Sequence, residues 1–356
     1  MGEVVNNNLL SFFKGRRVLV TGHTGFKGGW TALWLSEMGA KVHGFSLKAP
    51  TTPNFFTETK LNERLASSTI SDIRNLDNLS AVMQRTKPSI VFHMAAQPLV
   101  IDSYKNPVDT YTTNLIGTVN LMEAARHTKT VEAIVNITTD KCYDNQEWIW
   151  PYREEDRLGG HDPYSSSKAC VEIAADAYRK SFLAQAGIQL ANARAGNVIG
   201  GGDWAARLIP DILRSIDAGK TPIIRSPNAV RPWQYVLEPL SGYLMLAEKL
   251  VTHGADFAEA WNFGPETSDV NSVSWIVNYL CQKIPNATWE LDSSEQPHEA
   301  NILKLDSSKA KSKLGWVPRL PLESALDKTV EWHQAWNDNQ SMAEVSIRQI
   351  NNYIDK

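Results

Sequence analysis

The sequence predicts an α/β protein, a doubly wound parallel sheet with a smaller, interleaved C-terminal α/β lobe. Three observations lead there. Short apolar runs alternate with helical stretches through the first 200 residues, as expected of parallel strands buried on both faces. A glycine-rich turn joins the first run to the first of those helices. Beyond Gly200 the alternation loosens, and Pro222, Pro227, Pro232, Pro239 and Pro265 punctuate shorter elements.

The first run, Arg17-Val18-Leu19-Val20-Thr21, reads as a strand. A helix carrying Trp30, Leu33, Trp34 and Leu35 leads to a second strand over 40–45, a short third strand ends before Asp72, and a fourth covers 89–93. A helix around 108–127 precedes a strand over 133–137, and a helix from 165 to about 184 precedes another over 189–193. Residues 1–200 are therefore expected to form mainly the sheet domain. Residues 201–356 form mainly a substrate-facing lobe, with some late segments returning to the sheet.

At 356 residues and 39.7 kDa the chain can bury a large core. A net charge of −3 and the lack of any Lys/Arg run argue against nucleic acid and for a small-molecule partner. The polar Met1 to Leu10 segment has no apolar signal core, and no stretch approaches the roughly 18 apolar residues of a membrane span, so a soluble, cytoplasmic protein is expected. Three cysteines without CxxC spacing fit reduced thiols and offer no metal site.

Gly22-His23-Thr24-Gly25-Phe26-Lys27-Gly28 follows the first strand directly and opens the first helix. Glycines there allow a tight turn and let backbone amides approach a pyrophosphate at the positive end of the helix, so the sheet domain is expected to be Rossmann-like. The acidic ribose ligand expected some 20 residues on is replaced by Ser46-Leu47-Lys48. Lys48 there reads as a solvated surface lysine or as a partner for a 2′-phosphate. Asp72-Ile73 and Ala95-Ala96-Gln97 fall at later strand ends, where loops would line the same crevice.

Two reactive pairs complete the pattern. Tyr164 and Lys168 lie four apart, sharing a helical face, and an ammonium beside a phenol is expected to draw the phenol toward neutrality as a base for an alcohol. Upstream, Thr138-Thr139-Asp140-Lys141 ends a strand. Together these imply redox chemistry coupled to proton transfer. Tyr279 and Lys283 repeat the spacing without such a strand end and read as ordinary helix surface. His93, inside an apolar strand, reads as a satisfied core histidine.

With these residues in place, the chain resembles the extended short-chain dehydrogenase/reductase family over roughly residues 16 to 320. The shared pieces are the glycine turn, Asp72-Ile73-Arg74, His93-Met94-Ala95-Ala96, Asn114-Leu115-Ile116-Gly117-Thr118 and the Tyr164/Lys168 pair. Within that family it is most similar to the nucleotide-sugar 4,6-dehydratases, through residues 139–148, 158–164 and 194–204. Among these it looks most like the branch acting on CDP-glucose. The deoxythymidine-diphosphate branch carries Asp-Glu where this chain has Asp140-Lys141, and a Lys there also resembles the UDP-N-acetylglucosamine branch, so the base stays open.

The resemblance implies an NAD cofactor held by Gly22, Thr24, Gly25, Phe26, Lys27, Gly28, Ser46, Asp72, Ile73, Ala95, Ala96, Gln97, Asn114, Tyr164 and Lys168. It implies that Tyr164 takes the proton of the sugar 4-hydroxyl with Lys168 assisting, while Thr139 hydrogen-bonds that hydroxyl. Lys141 then removes the C5 proton, and Asp140 protonates the departing 6-hydroxyl. These roles ask for a neutral amine and a protonated carboxyl, opposite to what the pair's mutual attraction favours. Ser103, Tyr104, Asn197, Arg207, Arg231, His298 and Glu299 fall at substrate-binding positions. The resemblance also implies a homodimer through a four-helix bundle of the helices around 108–127 and 165–184, and a place in deoxysugar biosynthesis for lipopolysaccharide O-antigen. The competing activities are a nucleotide-sugar 4-epimerase, which would not need Asp140 and Lys141, and a non-catalytic dinucleotide-sensing regulator. His23 and Lys27 replace the small and apolar residues usual in the glycine loop, so looser NAD binding than in relatives is expected.

Overall fold

The computed structural model describes residues 2–284, 287–292 and 302–356. His298 and Glu299 lie outside them. Seven parallel strands form the central sheet: β1 (Arg17–Thr21), β2 (Lys41–Ser46), β3 (Ser67–Ile70), β4 (Ile90–His93), β5 (Ala133–Ile137), β6 (Gln189–Ala195) and β7 (Ala260–Phe263). Their spatial order is β7-β6-β5-β4-β1-β2-β3, so the winding reverses between β1 and β4. In such sheets a crevice opens at that reversal, outside the carboxyl ends of the strands.

Helices of ten residues or more are α1 (Gly2–Phe13), α2 (Phe26–Glu37), α3 (Leu76–Thr86), α4 (Gly117–Arg126), α5 (Pro163–Tyr178), α6 (Leu208–Asp217), α7 (Leu237–His253), α8 (Val273–Lys283), α9 (Leu322–Asn337) and α10 (Met342–Ile354). The helix expected over 108–127 is continuous but not uniform: Pro107–Tyr111 and α4 flank a wider π turn at Thr112–Ile116. A second π turn, Arg179–Leu183, finishes the helix expected to run to 184. These turns re-aim the helices without interrupting them.

The strands alternate between two cores, which is why they read as continuous apolar runs. Val18 and Val20 face one side with Trp30, Leu33, Phe92 and Val135, beneath α2, α7, α9 and α10. Leu19, Val91, Ile134 and Leu190 face the other, packed on Leu79, Met83, Leu121 and Ala175. At about 25 cal/mol per Å² of buried apolar surface, these two layers dominate the stability of the sheet. His93 is a satisfied core histidine, with Nδ1 on Thr21 Oγ1 (2.7 Å) and Nε2 on Thr118 Oγ1 (2.9 Å).

The later half contributes β7 to the sheet and a separate three-stranded sheet of Asn197–Ile199, Val230–Tyr235 and Val270–Ser272. That small sheet sits beyond the β6 end and forms the far wall of the crevice. Trp204 packs edge-on against Trp332 and Trp336. Tyr279 and Lys283 share Asp327 on the surface, at 3.0 Å each.

Candidate active site

The crevice holds a cleft of about 500 Å³. Thr138, Thr139, Asp140 and Lys141 enter it from the end of β5, and Tyr164 enters from the first turn of α5. Pro163 at the start of α5 and Asp162 as its N-cap, accepting from the Ser165 amide at 2.9 Å, fix where that turn begins. Asn197, Arg207 and Arg231 line the lobe side, and Tyr104 lines the wall after β4. The structure therefore brings together two separate sequence motifs. Ser103 does not join them; it is buried and donates to the Val100 carbonyl in its own helix (2.6 Å).

The glycine turn is built for close approach. Gly22 adopts φ +76°, and a Cβ there would lie 2.8 Å from the Ala95 amide nitrogen, while a Cβ on Gly28 would fall on the Gly22 carbonyl oxygen. The N-cap of α2 is Gly25 and supplies no side-chain acceptor, so the first amides of the helix remain for an anion. That cradle fits a dinucleotide pyrophosphate. Thr24 Oγ1 lies 2.8 Å from Ser46 Oγ and donates to the Leu47 carbonyl (2.8 Å), presenting hydroxyls where an acid was expected.

Four expected cofactor contacts take a different form. The Asp72 carboxylate is held by the Arg74 guanidinium (Nη2–Oδ2 2.6 Å), which also pairs with Asp109. The Ile73 side chain is core, pressed against Gly117. Asn114 accepts from the Gln97 amide (2.8 Å) and donates to Ser167 Oγ (2.9 Å), bracing the β4 loop against α5. Lys27 does not stay with the cofactor turn but reaches the substrate cleft, where burial, with Arg207 and Lys168 nearby, pushes its pKa down to about 7.

The electrostatics depart from expectation at one point. Tyr164 is pushed up to about 12 because burial outweighs the relief supplied by Thr139 and Arg207. Lys168 does not draw the phenol toward neutrality here: its ammonium donates to the Ile137 carbonyl (3.3 Å), and burial pushes it down to about 8. Asp140 is shifted in the opposite sense to an exposed carboxylate. Burial raises its pKa against the opposing pull of Lys141, and while Oδ1 accepts from Thr139 Oγ1 (3.0 Å), Oδ2 is buried without a hydrogen-bond partner. Such a placement favours the protonated form.

Sequence reasoning missed Glu172 and Arg194, a buried ion pair (2.9 Å) directly behind the Tyr164/Lys168 face. Glu172 extends that face by one more helical turn, and this spacing was the signal available. It also missed Asp203, which holds Arg207 (3.1 Å) at the cleft wall.

Comparison with known proteins places this geometry. The GDP-mannose 4,6 dehydratase family profile matches residues 19–329. The chain belongs to this family. A family relative from Salmonella typhimurium, a CDP-glucose 4,6-dehydratase, is 52% identical over 351 residues, covering 97% of this chain and 98% of its own. A dTDP-glucose 4,6-dehydratase from Haemophilus influenzae is 26% identical, over 89% of this chain and 97% of its own. The fold recurs in the crystal structure of a dTDP-glucose 4,6-dehydratase from Bacillus anthracis in complex with NAD, with TM-score 0.77 and 22% identity, covering 92% of this chain and all (100%) of that one.

Proposed function

We propose that the protein is a CDP-glucose 4,6-dehydratase, converting CDP-glucose to CDP-4-keto-6-deoxyglucose and water with NAD as a resident cofactor. The observation that carries this is the convergence of Tyr164 with Asp140 and Lys141 in one cleft, in a chain 52% identical to a CDP-glucose 4,6-dehydratase. An epimerase would have no use for a buried, proton-holding Asp140 beside a lysine.

Gly22, Gly25 and Gly28 would hold the pyrophosphate of NAD, and Lys168 its nicotinamide ribose. Bound there, NAD takes a hydrogen with its electron pair from C4 of the sugar and returns it at C6. Tyr164 removes the 4-hydroxyl proton, and the Thr139 hydroxyl holds the oxygen as it becomes a ketone. The ketone acidifies C5, Lys141 takes that proton, and Asp140 gives its own to the departing 6-hydroxyl, so water leaves; as C6 is reduced, Lys141 returns the proton to C5. Arg207, Arg231 and Asn197 grip the diphosphate from the lobe, with Arg231 only 3% exposed. Residues 201–356 act mainly as this nucleotide-sugar lobe. A homodimer through a four-helix bundle is supported by the apolar faces of the two helices, where Val108 (74%), Ile173 (61%) and Phe182 (45%) stand exposed in the single chain. Among the described residues no helix is long and apolar enough to cross a membrane, in keeping with a cytoplasmic enzyme.

The test is incubation with catalytic NAD and, separately, CDP-glucose, dTDP-glucose, UDP-glucose and UDP-N-acetylglucosamine, followed by mass spectrometry. Loss of one water from CDP-glucose without accumulation of reduced cofactor is expected. Unchanged mass with every sugar would refute the reading.

A further inference from the structure

Glu172 lies one turn beyond Lys168 on α5 and is 2% exposed, so it points into the same buried layer. Its Oε1 accepts from Arg194 Nε (2.9 Å) and from Thr138 Oγ1 (2.5 Å), and its Oε2 accepts from Arg194 Nη2 (3.0 Å). Arg194, on β6, also donates through Nη1 to the Tyr143 hydroxyl (2.7 Å) and the Glu154 carbonyl (2.9 Å). The carboxylate is thus fixed to β6, and through Thr138 to the strand end that carries Thr139, Asp140 and Lys141. A buried Glu–Arg pair alone is a poor stabilising device, since replacing both partners by uncharged residues is often neutral. Its position behind Lys168 gives it another use.

We propose that Glu172 is a positioning residue for the dehydratase reaction: held by Arg194 and Thr138, it supplies the countercharge that keeps Lys168 an ammonium beside Tyr164. The inference rests on the reading of Tyr164 and Lys168 as the catalytic pair. Besides Glu172 and its partner Arg194, the titratable groups that face Lys168 are Cys142 after β5, His93 on β4 and Lys27 on α2. Burial lowers His93 to about 3 and raises the Cys142 thiol, so both are neutral at pH 7, and Lys27 repels. Glu172 is the anion of the set. It works against the burial that pushes Lys168 down to about 8.

The experiment is the pH profile of kcat for E172Q, the double variant E172Q/R194M, E172D and K168M, each checked for folding by calorimetry. Losing the countercharge lets Lys168 shed its proton earlier, so the alkaline limb of E172Q should move down by about one pH unit or more. At a pH above both limbs this is about a tenfold loss in kcat, with KM for the nucleotide sugar unchanged. E172Q/R194M buries no unpaired charge and should fold even where E172Q does not; its limb should move the same way. E172D should return the limb toward wild type. An unmoved limb in any folded variant lacking the Glu172 charge, or a fall in stability with no change in the pH profile, would overturn the proposal. K168M separates the two readings: if it keeps the wild-type rate, the assignment of the catalytic pair fails, whereas an inactive K168M with an unmoved E172Q limb defeats only the role of Glu172.

Discussion

Asp140 to Asn is the substitution that most sharply separates what this site costs from what it does. Asp140 is 1% exposed, its Oδ1 accepts from Thr139, and its Oδ2 has no partner. Asparagine keeps the shape and the Oδ1 bond but has no proton to give to a leaving hydroxyl. Loss of a general acid lowers the rate by about 10²–10⁴-fold. Stability should move the other way. Because burial raises the folded-state pKa above the ordinary aspartate value of 3.8, the aspartate's contribution is fully present below that value, where both states are protonated, and is lost as pH rises through the folded pKa. At neutral pH D140N should therefore be more stable, by about 1.4 kcal/mol for each pH unit by which burial raises the carboxyl, since its amide carries no charge to desolvate. The advantage should vanish near pH 4. Calorimetric scans across that range, with quenched-flow analysis of the sugar product, test both halves. Because Tyr164 is untouched, D140N should still oxidise C4 and accumulate 4-ketoglucose nucleotide that has lost no water. A D140N protein less stable than wild type at pH 7, or one that dehydrates at the wild-type rate, would refute the reasoning.

Four further outcomes are expected. Y164F should bind CDP-glucose with unchanged affinity but fail at C4 oxidation, read by calorimetric titration alongside turnover. G28A should lose NAD binding and melt earlier by about 1–3 kcal/mol or more, since the added Cβ meets the backbone carbonyl of Gly22 and cannot be relieved by a rotamer change. Titration of cofactor-free protein with NAD should give weak, not nanomolar, affinity, because the end of β2 offers Ser46 and Thr24 hydroxyls and no carboxylate, while Lys27 adds a further amine near Arg207 and Lys168. I173D should abolish the proposed dimer in sedimentation, as the side chain is 61% exposed on the outer face of α5.

Apolar periodicity made the sheet legible. Val18, Leu19 and Val20 alternate between two cores, and that pattern with the glycine turn specifies strand, turn and helix through local chemistry alone. The π turns were not legible, because Thr112–Ile116 and Arg179–Leu183 contain no proline and only the packing of the helices reveals the extra residue. Asp140, Lys141, Tyr164 and Arg231 were legible as residue types in motif order. The protonation of Asp140, Tyr164 and Lys168 was not, since it follows from burial: the spacing of Tyr164 and Lys168 suggested mutual activation, yet desolvation outweighs it on both sides.

That outcome has a physical consequence for the site as a whole. Lys27, Asp140, Tyr164 and Lys168 are all displaced in the direction of neutrality, the lysines down to about 7 and 8, the phenol up to about 12 and the carboxyl upward. Groups displaced in this way are less costly to bury, and each can gain or lose a proton when a charged ligand changes its surroundings. Glu172 is the exception, an ionised carboxylate clamped by Arg194 and Thr138. On the proposed reading, that fixed anion favours keeping a proton on Lys168, against the burial that would remove it.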